Sequence, residues 1–317
     1  MGVVTSGGGG PAGRPGSYAL VYGALGVLAF SFTLPATRVA DPAFGGWAVA
    51  FGRTVIAALV AAILLRVKKQ PLLMPRHELK PMLVVVGGVV VGFPLFTSLA
   101  LESVDSAHGA VVTGLIPAAT AGFAVLLAGE RPRRSYWLAL VIGLAGVLSL
   151  PVIEGHGHLR AGDLLLLVAV AVAGLGYAQG GVLARSYGGW RVISWAVILS
   201  LPVIVPVTAV CVALRPPQHV TGHALLGAGY LGVVSMCLGF VAWYEGLARG
   251  GVARVGRIQL VQPVLTLIWS ALLLGERLTL VTCIAAVVVL AAVAVGRKAR
   301  VDTAPQPEPM ALANEPS

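Results

Sequence analysis

Residues 107–131 read AHGAVVTGLIPAATAGFAVLLAGER, and residues 253–277 read ARVGRIQLVQPVLTLIWSALLLGER. A shift of 146 residues carries Pro117 onto Pro263 and Thr120 onto Thr266. It also carries Leu126, Leu127, Gly129, Glu130 and Arg131 onto Leu272, Leu273, Gly275, Glu276 and Arg277. Each copy is a long apolar run with a proline near its middle and the same Gly-Glu-Arg end. A hydrophobic unit written twice, with helix-interrupting residues in matching places, is the pattern of a transporter built from repeats. A second echo, Gly45-Gly46-Trp47 against Gly188-Gly189-Trp190, recurs at a spacing of 143.

Composition agrees with a membrane setting. The 317 residues are 57% hydrophobic and 11% charged, against about 25% charged in a soluble domain. Runs such as Leu164–Ala173 and Ala285–Val295 sit in nearly charge-free windows of about 20 residues, enough to cross ~30 Å of hydrocarbon. The formal charge of +10 reflects basic residues gathered in loops rather than a domain that grips nucleic acid. Cys211, Cys237 and Cys283 all lie in apolar segments, where small buried thiols pack helices. No metal-ligand spacing accompanies them, and His156-Gly-His158 lacks a third ligand. Neither a metal nor any other cofactor is implied.

Hydrophobic windows and their polar breaks predict ten spans, at 18–38, 44–65, 81–101, 107–128, 135–153, 162–184, 190–213, 223–246, 253–274 and 278–296. Asp41-Pro42, Gln70-Pro71, Arg131-Pro132, Gly188-Gly189, Pro216-Pro217 and Gly250-Gly251 punctuate them. Ten spans put both termini on one side. With those termini inside, sixteen Lys and Arg residues fall on the cytoplasmic side and four (Arg38, Arg160, Arg215 and Arg277) outside, which orients the chain. Arg53 and Arg257 lie within spans. Five helices per half is an odd number, so the tandem halves must cross the membrane in opposite senses. The expected fold is therefore all-α and polytopic: ten transmembrane helices arranged as two inverted five-helix repeats, 18–153 and 162–296. The Gly-rich start (1–17) and the tail (297–317) read as disordered cytoplasmic ends.

The two Gly-Glu-Arg runs, the duplication and the helix count resemble the EamA family of the drug/metabolite transporter superfamily. The likeness covers about residues 18–296. It implies a multi-pass carrier of the cytoplasmic membrane that exports small metabolites, amino-acid-like or drug-like compounds by alternating access, with spans 1, 3, 4, 6, 8 and 9 around the substrate path. It leaves room for coupling to protons or a counter-substrate, and for a homodimer. The residues themselves leave two other readings open, a polytopic membrane enzyme and a non-transporting scaffold or channel. No Walker or G-x-S-x-G motif supports ATP-driven or hydrolytic chemistry.

Candidates for the path follow from where polarity enters the spans. Pro117 and Pro263 free the carbonyls of Thr113 and Gln259, and a freed carbonyl at mid-membrane must face protein, water or a ligand; either a cavity or a packing kink meets that need. Gln262 beside Pro263 either meets substrate or bonds a neighbouring helix. Arg257, one turn in from the cytoplasmic end, can snorkel to headgroups. Arg53, roughly 9–14 Å below the outer surface at ~1.5 Å per residue, is either a tether to carbonyls or Glu102, or a contact for an anionic substrate. Tyr177, Gln179, Trp243 and Tyr244 are further candidates. No Asp or Glu falls at the centre of a span, which gives little support for a membrane-centred proton relay; Glu245 is the best remaining candidate for a proton carrier, and a solvated interfacial carboxylate is the simpler account of it. Glu130 and Glu276, beside the starts of spans 5 and 10, are expected to fix the turns there.

Overall fold

The computed structural model describes residues 15–128, 160–250, 255–256 and 258–298, together with 138, 141, 142, 145 and 146 of span 5. All regular structure among the described residues is helical. Seven helices are long and apolar enough to cross a membrane: Tyr18–Phe44, Gly46–Val67, Arg76–Leu101, Ser106–Leu127, Ala161–Tyr187, Gly189–Leu214 and Gly222–Gly250. They take the places of spans 1–4 and 6–8. Two shorter apolar helices, Ile258–Leu274 and Leu280–Val295, take those of spans 9 and 10. The fifth span, the turn containing Glu130, Arg257, His156-Gly-His158 and both chain ends fall wholly or largely outside the described residues.

One boundary differs from the sequence expectation. Asp41-Pro42 does not end span 1; the helix continues to Phe44 with Pro42 inside it and stops at Gly45. Arg38 and Asp41 are thus helical residues rather than loop residues. The chain bends earlier, at Phe32, between the segments Pro15–Ser31 and Thr33–Phe44. Pro35 lies in the first turn of the second segment, where a missing N–H costs least. The carbonyl it frees, on Ser31, instead accepts the Thr266 hydroxyl of span 9 at 2.9 Å.

The Gly-Gly-Trp echo has one shape in both halves. Gly45 (φ 79°, ψ 148°) and Gly188 (φ 82°, ψ 143°) each end one helix and begin the next. A side chain disfavours that positive φ, and glycine adopts it freely. Packing is paired in the same way: span 2 lies along span 7, span 4 against span 9, span 1 against span 8, and span 3 against span 6. Exchanging the halves turns each pair into itself or into another of the four, the contact pattern of a two-fold relation. Close approach depends on small residues; a Cβ on Gly88 of span 3 would collide with backbone at Val172 and Gly176 of span 6. Leu59, Ile63, Val203, Leu214, Leu272 and Leu280 are exposed on the outside of the bundle, as a lipid-facing surface requires.

Candidate substrate site

The packing leaves a cavity between the two halves. Its walls are Phe30, Thr33 and Leu34 of span 1, Arg53 of span 2, Val89 and Phe93 of span 3, Thr113 of span 4, Tyr177 of span 6, Ser235, Met236 and Phe240 of span 8, and Gln262 of span 9. Its free volume is about 10 Å³, no more than one water needs. A larger groove of about 250 Å³, between Phe44–Ala48 and the Cys211–Arg215 end of span 7, lies at the helix ends and is almost wholly apolar; Arg215 is its single charged group.

Among the described residues Arg53 is the only charged one in the cavity wall, and it is 3% exposed. Its Nη2 donates to Ser235 Oγ at 2.8 Å, and that hydroxyl also shares a hydrogen bond with Thr33 at 2.8 Å. Its Nε and Nη1 have no partner among the described residues. The expected tether to Glu102 is absent there, because Glu102 accepts the Gly46 N–H at 3.0 Å instead. A buried guanidinium with unused donors is costly unless an acceptor arrives. Gln262 presents an unused Oε1, and buried Gln259 an unused Nε2.

Below Arg53, toward the Gly250 end of span 8, Phe30, Tyr177, Phe240 and Trp243 form an aromatic cluster. Phe30 and Phe240 have ring centroids 4.7 Å apart, and Tyr177 stands 5.7 Å from Phe240 and 6.2 Å from Trp243. Trp243 and Tyr244 are buried behind the cavity wall rather than in it; Tyr244 donates to the Gly176 carbonyl at 3.4 Å. Gln179 is half-buried and does not line the cavity. Glu245 pairs with Arg249 one turn on, at 2.6 Å, and does not line the cavity.

The prolines stand at breaks rather than inside continuous helices. Span 4 divides into Ser106–Thr113 and Ile116–Ala128, and Pro117 is second in the new segment. Span 9 begins with a 3-10 turn, Ile258–Val261, and Pro263 is second in Gln262–Leu274. A missing N–H at that position interrupts no helical bond. Both prolines are buried, and each break sets Thr113 or Gln262 at the cavity wall. Pro117→Ala and Pro263→Ala should each let the helix re-form through the break and slow transport severalfold, with membrane insertion unchanged. Initial flux normalised to inserted protein is the check; wild-type rates in both variants would remove the breaks from the mechanism.

Two features escaped the sequence. Spans 3 and 8 each contain a π-helical stretch, Val86–Gly92 and Tyr230–Gly239. These widened turns are frequent at functional sites, and here they carry Val89, Ser235 and Met236 into the wall. The available signal was glycine clustering, Gly87-Gly88 and Gly92 against Gly232 and Gly239.

The second feature is a set of clasps at the opposite end of the cavity from the aromatic cluster. Glu276 does not cap the start of span 10. Its Oε1 accepts the Ser106 N–H at 3.0 Å and its Oε2 the Ala107 N–H at 2.8 Å, so the second half caps span 4 of the first. Partial burial pushes the Glu276 carboxyl up, against the pull of those two backbone donors. Ser270 Oγ donates to Ser106 Oγ at 2.9 Å. Beside them, Arg38 pairs with Asp105 at 3.5 Å and donates to the Leu101 carbonyl, and His108 meets Asp163 at 2.6 Å.

Comparison with known proteins adds four findings. The model of the EamA-like transporter family matches residues 17–150 and 160–296. The chain is 41% identical over 282 residues (88% of it and 96% of its counterpart) to "Uncharacterized transporter YdeK" of Bacillus subtilis (strain 168). It is 23% identical over 257 residues (80% and 84%) to "Probable terminal-alkyne amino-acid exporter" of Streptantibioticus cattleyicolor. A solved structure described as "Crystal structure of protein" has the same fold, with a TM-score of 0.62, 21% identity, and coverage of 89% of this chain and 98% of that one.

Proposed function

The chain belongs to the EamA-like transporter family, and from that premise we propose that it is a secondary exporter of small amphipathic metabolites, amino-acid derivatives or drug-like compounds across the cytoplasmic membrane. The reading takes the two repeats to be inverted in the bilayer, with ten spans and both termini inside. They rock about the cavity, so that it opens alternately to either face. The polar end of the solute sits on Arg53 with Gln262 nearby, and its apolar body lies against Phe30, Tyr177 and Phe240.

One observation carries this most: a buried arginine with two unused donors, between the repeats, in an otherwise apolar and aromatic cavity. Such a site rewards a ligand that brings its own acceptor. The amino-acid exporter named above fits this chemistry. A membrane enzyme would instead need a nucleophile beside an acid or base; among the described residues the wall's hydroxyls, Thr33, Thr113, Ser235 and Tyr177, share it with no His, Asp or Glu.

Proteoliposomes holding the purified chain should show saturable counterflow for at least one member of a broad panel of amphipathic metabolites. Protein-free liposomes should not. Absence of saturable flux across the whole panel would defeat the carrier reading.

A further inference from the structure

The larger groove takes no part in the solute cavity. It runs between the first repeat, at Phe44–Ala48, and the second, at Cys211–Arg215. The sequence positions its cation. Pro216-Pro217 cannot continue span 7, and a residue before proline is biased toward extended backbone. Arg215 has φ −133° and ψ 84°, and its N–H donates to the Cys211 carbonyl at 2.9 Å. The Gln218 N–H then donates to the Ala43 carbonyl at 2.9 Å, which ties the chain after span 7 to the end of span 1. The Arg215 side chain lies over the Gly45 turn, so close that a Cβ there would stand 3.2 Å from Nη1 and 3.3 Å from Cδ. That side chain makes no hydrogen bond or ion pair among the described residues.

We propose that this groove binds an anionic diacyl phospholipid, with one acyl chain against Phe44, Ala48, Cys211 and Leu214 and the phosphodiester on Arg215. The wall is graded as a lipid is. Arg215 and Trp47 stand at the helix ends, where arginine and tryptophan meet headgroups. Cys211 lies one turn, ~6 Å, further into span 7. Leu214 belongs to the lipid-facing surface, 82% exposed, and Trp47 is 48% exposed, so the groove is reached from the bilayer.

An apolar groove of about 250 Å³ that opens on a bilayer fills with hydrocarbon, because water there finds almost no polar partner. At the mouth, a guanidinium presents a planar array of donors that matches a phosphate. Charge selects the headgroup. Among the described residues the wall holds one cation and no carboxylate, so it neutralises a single phosphodiester and offers nothing to an ammonium group. The carboxylates on adjoining helices are outside the wall: Asp41 is buried within span 1, and Glu102 accepts the Gly46 N–H at 3.0 Å. Phosphatidylglycerol is therefore held in preference to phosphatidylethanolamine. The walls come from both repeats, so a seated lipid joins them, whatever the central cavity carries.

Native mass spectrometry of the full chain in detergent reads the preference directly. The protein is given equal amounts of phosphatidylglycerol and phosphatidylethanolamine with identical acyl chains. The wild type should retain the first over the second by roughly fivefold, the effect of one partly exposed ion pair. Arg215→Gln should bring the two lipids to parity. Arg277→Gln, the same charge change at an exposed residue between spans 9 and 10, should keep the preference. Cys211→Phe fills the groove and leaves Arg215 in place, and it should lose retention of phosphatidylglycerol; Ala48→Leu makes the same test if that variant does not fold. Equal retention of both lipids by the wild type, a preference that survives Arg215→Gln, or an equal fall in Arg277→Gln overturns the proposal. So does undiminished retention by the groove-filled protein, which would leave a headgroup resting on a basic surface rather than a lipid seated between the repeats.

Discussion

Arg53→Met should abolish transport and leave the folded protein at least as stable as the wild type. Methionine keeps much of the arginine stem's volume, so the core is not hollowed out. It removes a buried cation whose Nε and Nη1 are unsatisfied, and an uncompensated buried charge is a burden on the fold. The Ser235 bond lost with it contributes about 1.5–3 kcal/mol at most. For the solute the balance is reversed. A charge-assisted bond forfeited in the loaded state costs about 3 kcal/mol, or roughly a hundredfold in affinity. Arg53→Lys keeps the charge but loses the planar array of donors, so it should recover only part of the flux. Counterflow and thermal unfolding, measured on the same preparations, separate the two roles. Loss of flux with unchanged or raised thermal stability assigns Arg53 to the solute. Loss of both, in Arg53→Met and Arg53→Lys alike, makes it a structural tether between spans 2 and 8.

Such a residue, stable only in partnership with something absent from the chain, is the kind of feature that a sequence shows halfway. Arg53 stood out as a charge in an apolar run, as did the paired prolines and the twice-written Gly-Glu-Arg. These periodic and repeated signals gave the all-helical, two-repeat architecture. The glycine turns at Gly45 and Gly188 were legible for the same reason, since only a few residues accept a positive φ. Partnership was not legible. Nothing in the text near Glu276 says that its carboxylate caps a helix 170 positions earlier in the chain, because capping across repeats depends on how the halves pack. Ser235 is one hydroxyl in an apolar segment, and its bonds to Arg53 and Thr33 exist only once spans 1, 2 and 8 meet.

Asp41 was obscured by its neighbour. Asp-Pro is strong turn punctuation, yet tertiary packing carries the helix through it and buries the carboxylate. Glu245, by contrast, has its ion-pair partner Arg249 a single helical turn away, an i,i+4 pair that can be read directly from the spacing.

Alternation between two closed ends can be tested directly at the Ser106–Ser270 contact. Their hydroxyl oxygens are 2.9 Å apart, on spans 4 and 9 of opposite repeats, beside the Glu276 cap. Cysteines at such a separation come within the geometry a disulfide accepts. In a background with Cys211, Cys237 and Cys283 replaced by serine, Ser106→Cys with Ser270→Cys should carry solute when reduced. It should stop almost completely when oxidised and recover on reduction, since the bond holds that end of the cavity shut. Each single variant should be indifferent to oxidant. Undiminished flux through the fully cross-linked protein would contradict the account, because a path that works with spans 4 and 9 locked together does not depend on the halves moving apart.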